Sequence, residues 1–108
     1  MNVINLAAQD NFAEIIQSQP IPVIVDFWAP WCAPCRMLAP ELAGASEEFG
    51  DKLQVLKVNI DDFAELASGQ YKVLGVPTLV LFKDGREKGR LVGYRSRTAI
   101  KAFIEKNL

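Results

Sequence analysis

Cys32 and Cys35 are the only thiols among 108 residues, and they stand within "VIVDFWAPWCAPCRM", Val23–Met37. A Cys-x-x-Cys pair can ligate a metal, lie inert in a core, or exchange electrons as a dithiol. Structural zinc usually takes four Cys or His ligands. The chain has no histidine and no third cysteine, so zinc would require a dimer or carboxylate help, and no metal is expected. Inert burial fits poorly with a position between a strand and a helix, beside Trp31 and Pro34. Redox use fits that position directly. A thiolate at a helix N-terminus faces free backbone N–H groups and the positive end of the helix dipole. Both lower the thiol pKa and populate the nucleophile at neutral pH. Cys32 is expected at that end as the more exposed, attacking thiol, with Cys35 one turn further in and shielded. Cys32 attacks a partner disulfide and forms a mixed disulfide. Cys35 then attacks Cys32, closes an intramolecular disulfide and releases the reduced partner. Pro34 stiffens the loop and removes a donor from the first turn, where none is needed.

Two charged residues interrupt apolar strand patterns near this pair. Asp26 lies in "VIVDFW" and Lys57 in "LQVLKVNI". A carboxylate inside an apolar strand is costly when ionised and unpaired, so its pKa should rise. The alternative is an exposed carboxylate at a strand end. For Lys57 the alternative is an edge-facing side chain that snorkels to water. Trp28, in the strand, reads as structural support for the loop. Trp31, next to Cys32, reads as partly exposed.

The elements that position these residues alternate between strand-like and helix-like periodicity. "VINL", 3–6, reads as a short edge strand. Asp10 is a plausible N-cap for a helix with Phe12, Ile15 and Ile16 on its apolar face. "QPIP", 19–22, ends it. "VIVDFW", 23–28, is the near-continuous apolar run of a strand buried on both faces. A helix should follow from Cys32 to Phe49 and stop at Gly50. Pro40 removes a backbone donor inside it and should kink it. Residues 53–60 form a second central strand. Asp61 or Asp62 should cap a short helix to Gln70, with Asp62 and Glu65 at capping-box spacing. "TLVLF", 78–82, is a third strand, "KDGR" a hairpin turn, and 87–93 its antiparallel partner. Ser96 should cap a last helix with Ile100, Phe103 and Ile104 on one face. The helix-containing crossovers joining the three long strands should make those strand pairs parallel. The expected architecture is α/β: a mixed central β-sheet with helices on both faces and a closing antiparallel hairpin, in one domain spanning 1–108.

"DFWAPWCAPCR" closely resembles the active-site segment of the thioredoxin family, whose usual core is Trp-Cys-Gly-Pro-Cys. Cys-x-x-Cys beside a βαβ pattern is a general mark of such redox folds. The resemblance extends to "KVNID" at 57–61, "GVPTLVLFKDG" at 75–85, "VGY" at 92–94 and the final helix. It spans nearly the whole chain, with roughly one extra residue between the second central strand and Pro77. It implies that Asp26 lies beneath the redox pair and helps deprotonate Cys35 through water. It also implies that Lys57 approaches Asp26 and tunes it, so that their titrations are coupled. It implies a cis bond before Pro77, which sequence alone would read only as a strand start. The Val76 backbone would pair with an extended substrate segment. Gly75 and Gly93 would leave room for it, with Tyr94 on the opposite wall and Trp31, Ala33 and Pro34 around the attacking thiol. Ala33 stands where the family usually has glycine, which leaves the redox potential open. Tyr94 and Arg95 would add a bulky, positive rim, or simply a solvated loop.

Bulk properties set the remaining bounds. The formal net charge is −1, which argues against a general nucleic-acid or membrane binder. No Lys or Arg precedes Arg36, and eight of the twelve lie from Lys83 onward, a mildly basic, solvated end. There is no secretory signal pattern and no apolar run of the ~18 residues that spans a bilayer, so a cytoplasmic protein is expected, with a monomer as the default. The leading expectation is a protein-disulfide reductase that needs no bound cofactor. Disulfide-containing proteins would be its substrates and a thioredoxin reductase its electron donor. An oxidase or isomerase of an oxidising compartment, and a partner-binding subunit with incidental thiols, stand as alternatives. Pro34 counts against the former, whose members often place histidine before the second cysteine.

Overall fold

The computed structural model describes residues 2–108. Five strands form one sheet: β1 (Asn2–Asn5), β2 (Val23–Trp28), β3 (Gln54–Asn59), β4 (Thr78–Lys83) and β5 (Arg86–Val92), in the order β1-β3-β2-β4-β5. Three α-helices accompany them: α1 (Phe12–Ser18), α2 (Ala33–Glu47) and α3 (Arg97–Lys106). A 3₁₀ turn at Gly50–Lys52 and a six-residue π-helix at Glu65–Gln70 complete the regular structure. The sheet is mixed, as expected from helical crossovers followed by a closing hairpin.

The period-2 alternation of side chains assigns each strand residue to a layer. Val25 and Phe27 of β2, Leu56 and Val58 of β3, and Val80 and Phe82 of β4 pack with Phe12 and Ile16 of α1. Ile24, Val55, Leu79 and Leu81 face the other way, onto Leu38 and Leu42 of α2 and Ile100, Phe103 and Ile104 of α3. Helices therefore cover both faces. Asp26 shares the parity of Ile24 and points toward the α2 layer.

The helix ends show which local signals hold. Ser96 caps α3 and accepts a hydrogen bond from Ala99 N at 3.2 Å, as expected. Asn11, not Asp10, caps α1 and accepts from Glu14 N at 3.0 Å; Asp10 instead accepts from Ala7 N at 2.8 Å. Neither Asp61 nor Asp62 caps the π-helix: its N-cap is Ala64, with no side-chain cap bond. Helix α2 runs on through Pro40. The β4–β5 hairpin turns at Asp84 (φ 54°) and Gly85 (φ 76°), the two consecutive positive φ angles of a tight hairpin turn.

The expected strand directions fail in one place. β2 and β3 are parallel, but β3 and β4 are not neighbours, and β4 runs antiparallel to β2. At about 1.5 Å per residue a six-residue helical segment advances only ~9 Å. A six-residue strand spans about 20 Å. The segment after β3 contains no longer helix, and it does not carry the chain back along the sheet. It turns at the end where β3 finishes, and β4 starts there, with Thr78 opposite Phe27.

Candidate active site

The site gathers at this shared end of the sheet. Strand β2 delivers the chain to Ala29, which is fully buried and packs with both cysteines. Cys32 is the N-cap of α2, in extended conformation, and its sulfur accepts from Cys35 N at 3.2 Å. Cys32 and Cys35 are joined as a disulfide, their Cα atoms 5.3 Å apart. The expected contrast in exposure is absent: Cys32 is 4% and Cys35 5% exposed. Trp28, Ile60 and Val76 pack against the cluster that Ala29 and the two cysteines form. The two are distinguished by what lies beside them. Cys32 Sγ stands 3.6 Å from the Val76 carbonyl oxygen. Cys35 lines a cavity of about 150 Å³ together with Asp26, Trp28, Arg36, Ala39 and Lys57.

Asp26 is 2% exposed. The strand register sets it beside Lys57, with Lys57 Nζ 4.0 Å from Oδ2. Its other oxygen, Oδ1, has no hydrogen-bond partner among the described residues. Burial pushes the Asp26 pKa from 3.8 up to about 6, against a smaller opposing pull from the Lys57 charge. Lys57 is half-buried along this cavity, so its ammonium reaches water while its stem covers the strand.

The Val76–Pro77 bond is cis, as the resemblance implies. Thr78 Oγ1 donates to Gly75 O at 2.6 Å, and Gly93 N donates to Pro77 O at 2.8 Å, which ties the loop before β4 to the loop after β5. Gly93 has φ +90°, a conformation that suits glycine, whereas the space around Gly75 is open. Trp31 is 65% exposed, and its indole Nε1 donates to Asp61 Oδ1 at 3.2 Å. Ala33 and Pro34 are exposed on the first turn of α2. Tyr94 donates its hydroxyl to Glu41 Oε1 at 3.3 Å, joining the loop after β5 to α2.

Comparison with known proteins agrees with this geometry. The thioredoxin family model matches residues 3–106. The chain belongs to the thioredoxin family. It is 39% identical over 108 residues to thioredoxin 1 of Synechococcus elongatus, with both chains fully covered. It is 46% identical over 94 residues to the thioredoxin of Alicyclobacillus acidocaldarius, covering 87% of this chain and 88% of that one. It is 43% identical over 86 residues to the Bacillus subtilis thioredoxin, covering 80% and 82%. With the family and the Cys32–Cys35 disulfide both in place, the protein is a thiol–disulfide oxidoreductase.

The family resemblance placed Asp26 and Lys57 beneath the redox pair and Val76 and Pro77 opposite it, and the structure sets Asp26 and Lys57 in one cavity with Cys35 and Val76 O beside Cys32. Sequence reasoning missed two contacts. Asp61 serves as the acceptor for Trp31 rather than as a helix cap, and no local pattern announces a bond between residues 30 positions apart. Arg36 lines the Asp26 cavity and donates Nη1–H to Pro30 O at 2.9 Å. Its place directly after Cys35 was the one available signal. Among the described residues no cluster of His, Cys, Asp and Glu is arranged to hold a metal, and no helix is long and apolar enough to cross a membrane.

Proposed function

We propose that the chain, acting as one monomeric domain, is a general protein-disulfide reductase of the cytoplasm. One observation carries this reading: Cys32 Sγ lies 3.6 Å from the Val76 carbonyl oxygen, while Cys35 shares a cavity with Asp26, whose pKa burial pushes up to about 6. In the dithiol form Cys32, at the N-terminus of α2, is the nucleophile. It attacks a substrate disulfide sulfur, forms a Cys32–substrate bond and expels the other substrate sulfur as a thiolate. Cys35 must then lose its proton and attack Cys32, which forms the Cys32–Cys35 bond, breaks the Cys32–substrate bond and releases the second substrate sulfur as a thiolate. Asp26 takes that proton, and a cavity of 150 Å³ has room for the water that relays it. Lys57 keeps the carboxylate form of Asp26 accessible near neutral pH. The substrate segment lies extended against Val76, between the Trp31–Ala33–Pro34 surface and the Gly93–Tyr94 wall, with Gly75 leaving its approach open. Trp28 and Pro40 support the loop and helix. A thioredoxin reductase returns two electrons to the disulfide, and disulfide-containing proteins consume them.

The test is the equilibrium potential of the Cys32–Cys35 pair, read by trapping free thiols in graded redox buffers. A value below about −220 mV lies at or beneath the cytosolic glutathione poise and is the expected result. A value near or above about −180 mV matches proteins that donate disulfides, and overturns the reductase direction. Exchanging both cysteines for serine removes the activity of a reductase and leaves that of a partner-binding subunit intact.

A further inference from the structure

The loop of residues 71–77 runs between the π-helix and β4 and brings Val76 to Cys32. Near its start Lys72 stands in the left-handed region at φ +56°. A non-glycine residue keeps that conformation only where its surroundings hold it. Hydrogen bonds on both sides of Lys72 do so. Tyr71 N donates to Leu66 O at 3.0 Å and Val73 N to Ala67 O at 2.9 Å, both back into the π-helix. The Tyr71 carbonyl is held from a different element: it accepts from Nη2 of Arg90, on β5, at 3.0 Å. The other end of the loop is tied by Thr78 Oγ1 on Gly75 O and by Gly93 N on Pro77 O. Arg90 is built to reach its carbonyl. A guanidinium presents its N–H groups in a fixed planar fork. Glu87 takes one N–H from Nε and one from Nη2, each at 2.8 Å. That fixes the plane of the group and leaves the second N–H of Nη2 for Tyr71 O.

We propose that Arg90 is a positioning residue for disulfide exchange: by holding Tyr71 O it keeps the loop of residues 71–77 in the one arrangement that offers the Val76 backbone to an extended substrate segment. The inference rests on the pairing of substrate with Val76 given above and adds the residue that orders the pairing loop. Arg90 touches neither sulfur. Without its bond to Tyr71 O the loop visits other arrangements, and a peptide segment binds more weakly in proportion to the time spent in them. The exchange itself is unchanged: a Cys32–substrate S–S bond forms and the substrate's other sulfur leaves as a thiolate. A disulfide with no peptide segment does not use the loop and does not register the loss.

The experiment uses the full chain carrying Cys35→Ser, in which the mixed disulfide at Cys32 accumulates. Its formation is followed by mass spectrometry over a range of substrate concentrations. Three substrates are compared: a disulfide peptide, the same peptide N-methylated at the residues flanking the cysteine, and a small aromatic disulfide. The parent should reach half-saturation with the unmethylated peptide at a lower concentration than with the N-methylated one. Arg90→Gln should raise that concentration for the unmethylated peptide by about two- to tenfold, the worth of one net hydrogen bond. The maximal rate and the rate on the small disulfide should stay as they were. Arg90→Lys, which keeps the charge without the fork, should fall between the two. Arg86→Gln, an equal loss of charge on β5, should change none of these. An Arg90→Gln chain with the parent's half-saturating concentration overturns the proposal, because the loop then holds itself. Equal slowing on the peptide and on the small disulfide also overturns it, because the whole fold is then affected. A parent that treats both peptides alike removes the Val76 pairing, and this proposal with it. The readout follows attack by Cys32 whichever direction the protein works in, so failure of the reductase reading shows in the redox potential instead.

Discussion

Glu87 and Asp26 each lie beside a cation, and their surroundings give them opposite properties. On the exposed strand β5, Arg90 grips Glu87 with two hydrogen bonds of 2.8 Å, and these hold the Glu87 carboxyl below its ordinary pKa. Under the redox pair, Lys57 approaches Asp26 only to 4.0 Å, one carboxylate oxygen has no partner, and burial lifts the pKa to about 6. The better-made pair sits where water already solvates it. The poorer one sits where a charge is expensive. A buried carboxylate with complete partners would stay ionised and would be a poor proton carrier. The incomplete pairing leaves Asp26 able to take and return a proton near neutral pH.

The contrast predicts opposite pH dependences. The folded-state pKa of Asp26 is raised, so its stabilising contribution is present below about pH 3.8 and is lost as pH rises through about 6. The rise from 3.8 to about 6 corresponds to about 3 kcal/mol at 1.36 kcal/mol per pH unit. Asp26→Asn should therefore stabilise the fold by up to about 3 kcal/mol at pH 8, with the gain vanishing below about pH 4. Denaturant unfolding at several pH values checks this. The same variant should slow disulfide reduction by the order of 10²-fold, the lower end of what a positioned base supplies, and should remove the inflection near pH 6 from the rate profile. A variant that is more stable and equally fast would remove the proton-transfer role and leave Asp26 as an unexplained cost.

How far this arrangement is legible in sequence depends on how local its causes are. The β2 strand, the Asp84–Gly85 turn and the Ser96 cap are set by neighbours within a few positions, and each lies where its pattern put it. Asp26 was legible because a carboxylate breaks an apolar run. The cis bond before Pro77 came from resemblance, since a strand-starting proline reads the same in either isomer. The direction of β4 was not legible, because a short helical pattern does not say whether the chain crosses the sheet or turns at its end. Nor was the burial of Cys32: it depends on Trp28, Ile60 and Val76, which arrive from three separate segments. The roles of Asp61 and Arg36 likewise depend on partners that only the fold supplies.

Lys57 tests the interior pair from its other side. Lys57→Met keeps the stem that covers the strand and removes the charge that pulls the Asp26 pKa down. The inflection in the rate profile should then move to higher pH, and reduction at pH 7 should slow by about two- to fivefold, as suits a partly exposed charge at 4.0 Å. An inflection that stays near pH 6 would mean that burial alone sets the Asp26 titration and that Lys57 belongs to the surface.

The smallest effect belongs to the surface pair. Glu87→Gln is the sharper probe of it, because Arg90 also donates to Tyr71 O at 3.0 Å and so keeps its position when Glu87 loses charge. Tyr71 packs edge-on to Phe12 and Phe82 in the α1 layer, so replacing Arg90 would disturb that layer as well as the ion pair. The Glu87 pKa is lowered in the fold; its contribution is present above its ordinary 4.5 and lost as pH falls through the folded value. Glu87→Gln should cost at most about 1 kcal/mol at pH 7, less in high salt, with the difference closing as the solution is acidified. This is the reverse of the trend at Asp26. The Cys32–Cys35 potential and the pH profile of reduction should not move, because Glu87 does not line the Asp26 cavity. A shifted potential would show that the two pairs are linked through the sheet, and that the incomplete pairing at Asp26 is not a property of its cavity alone.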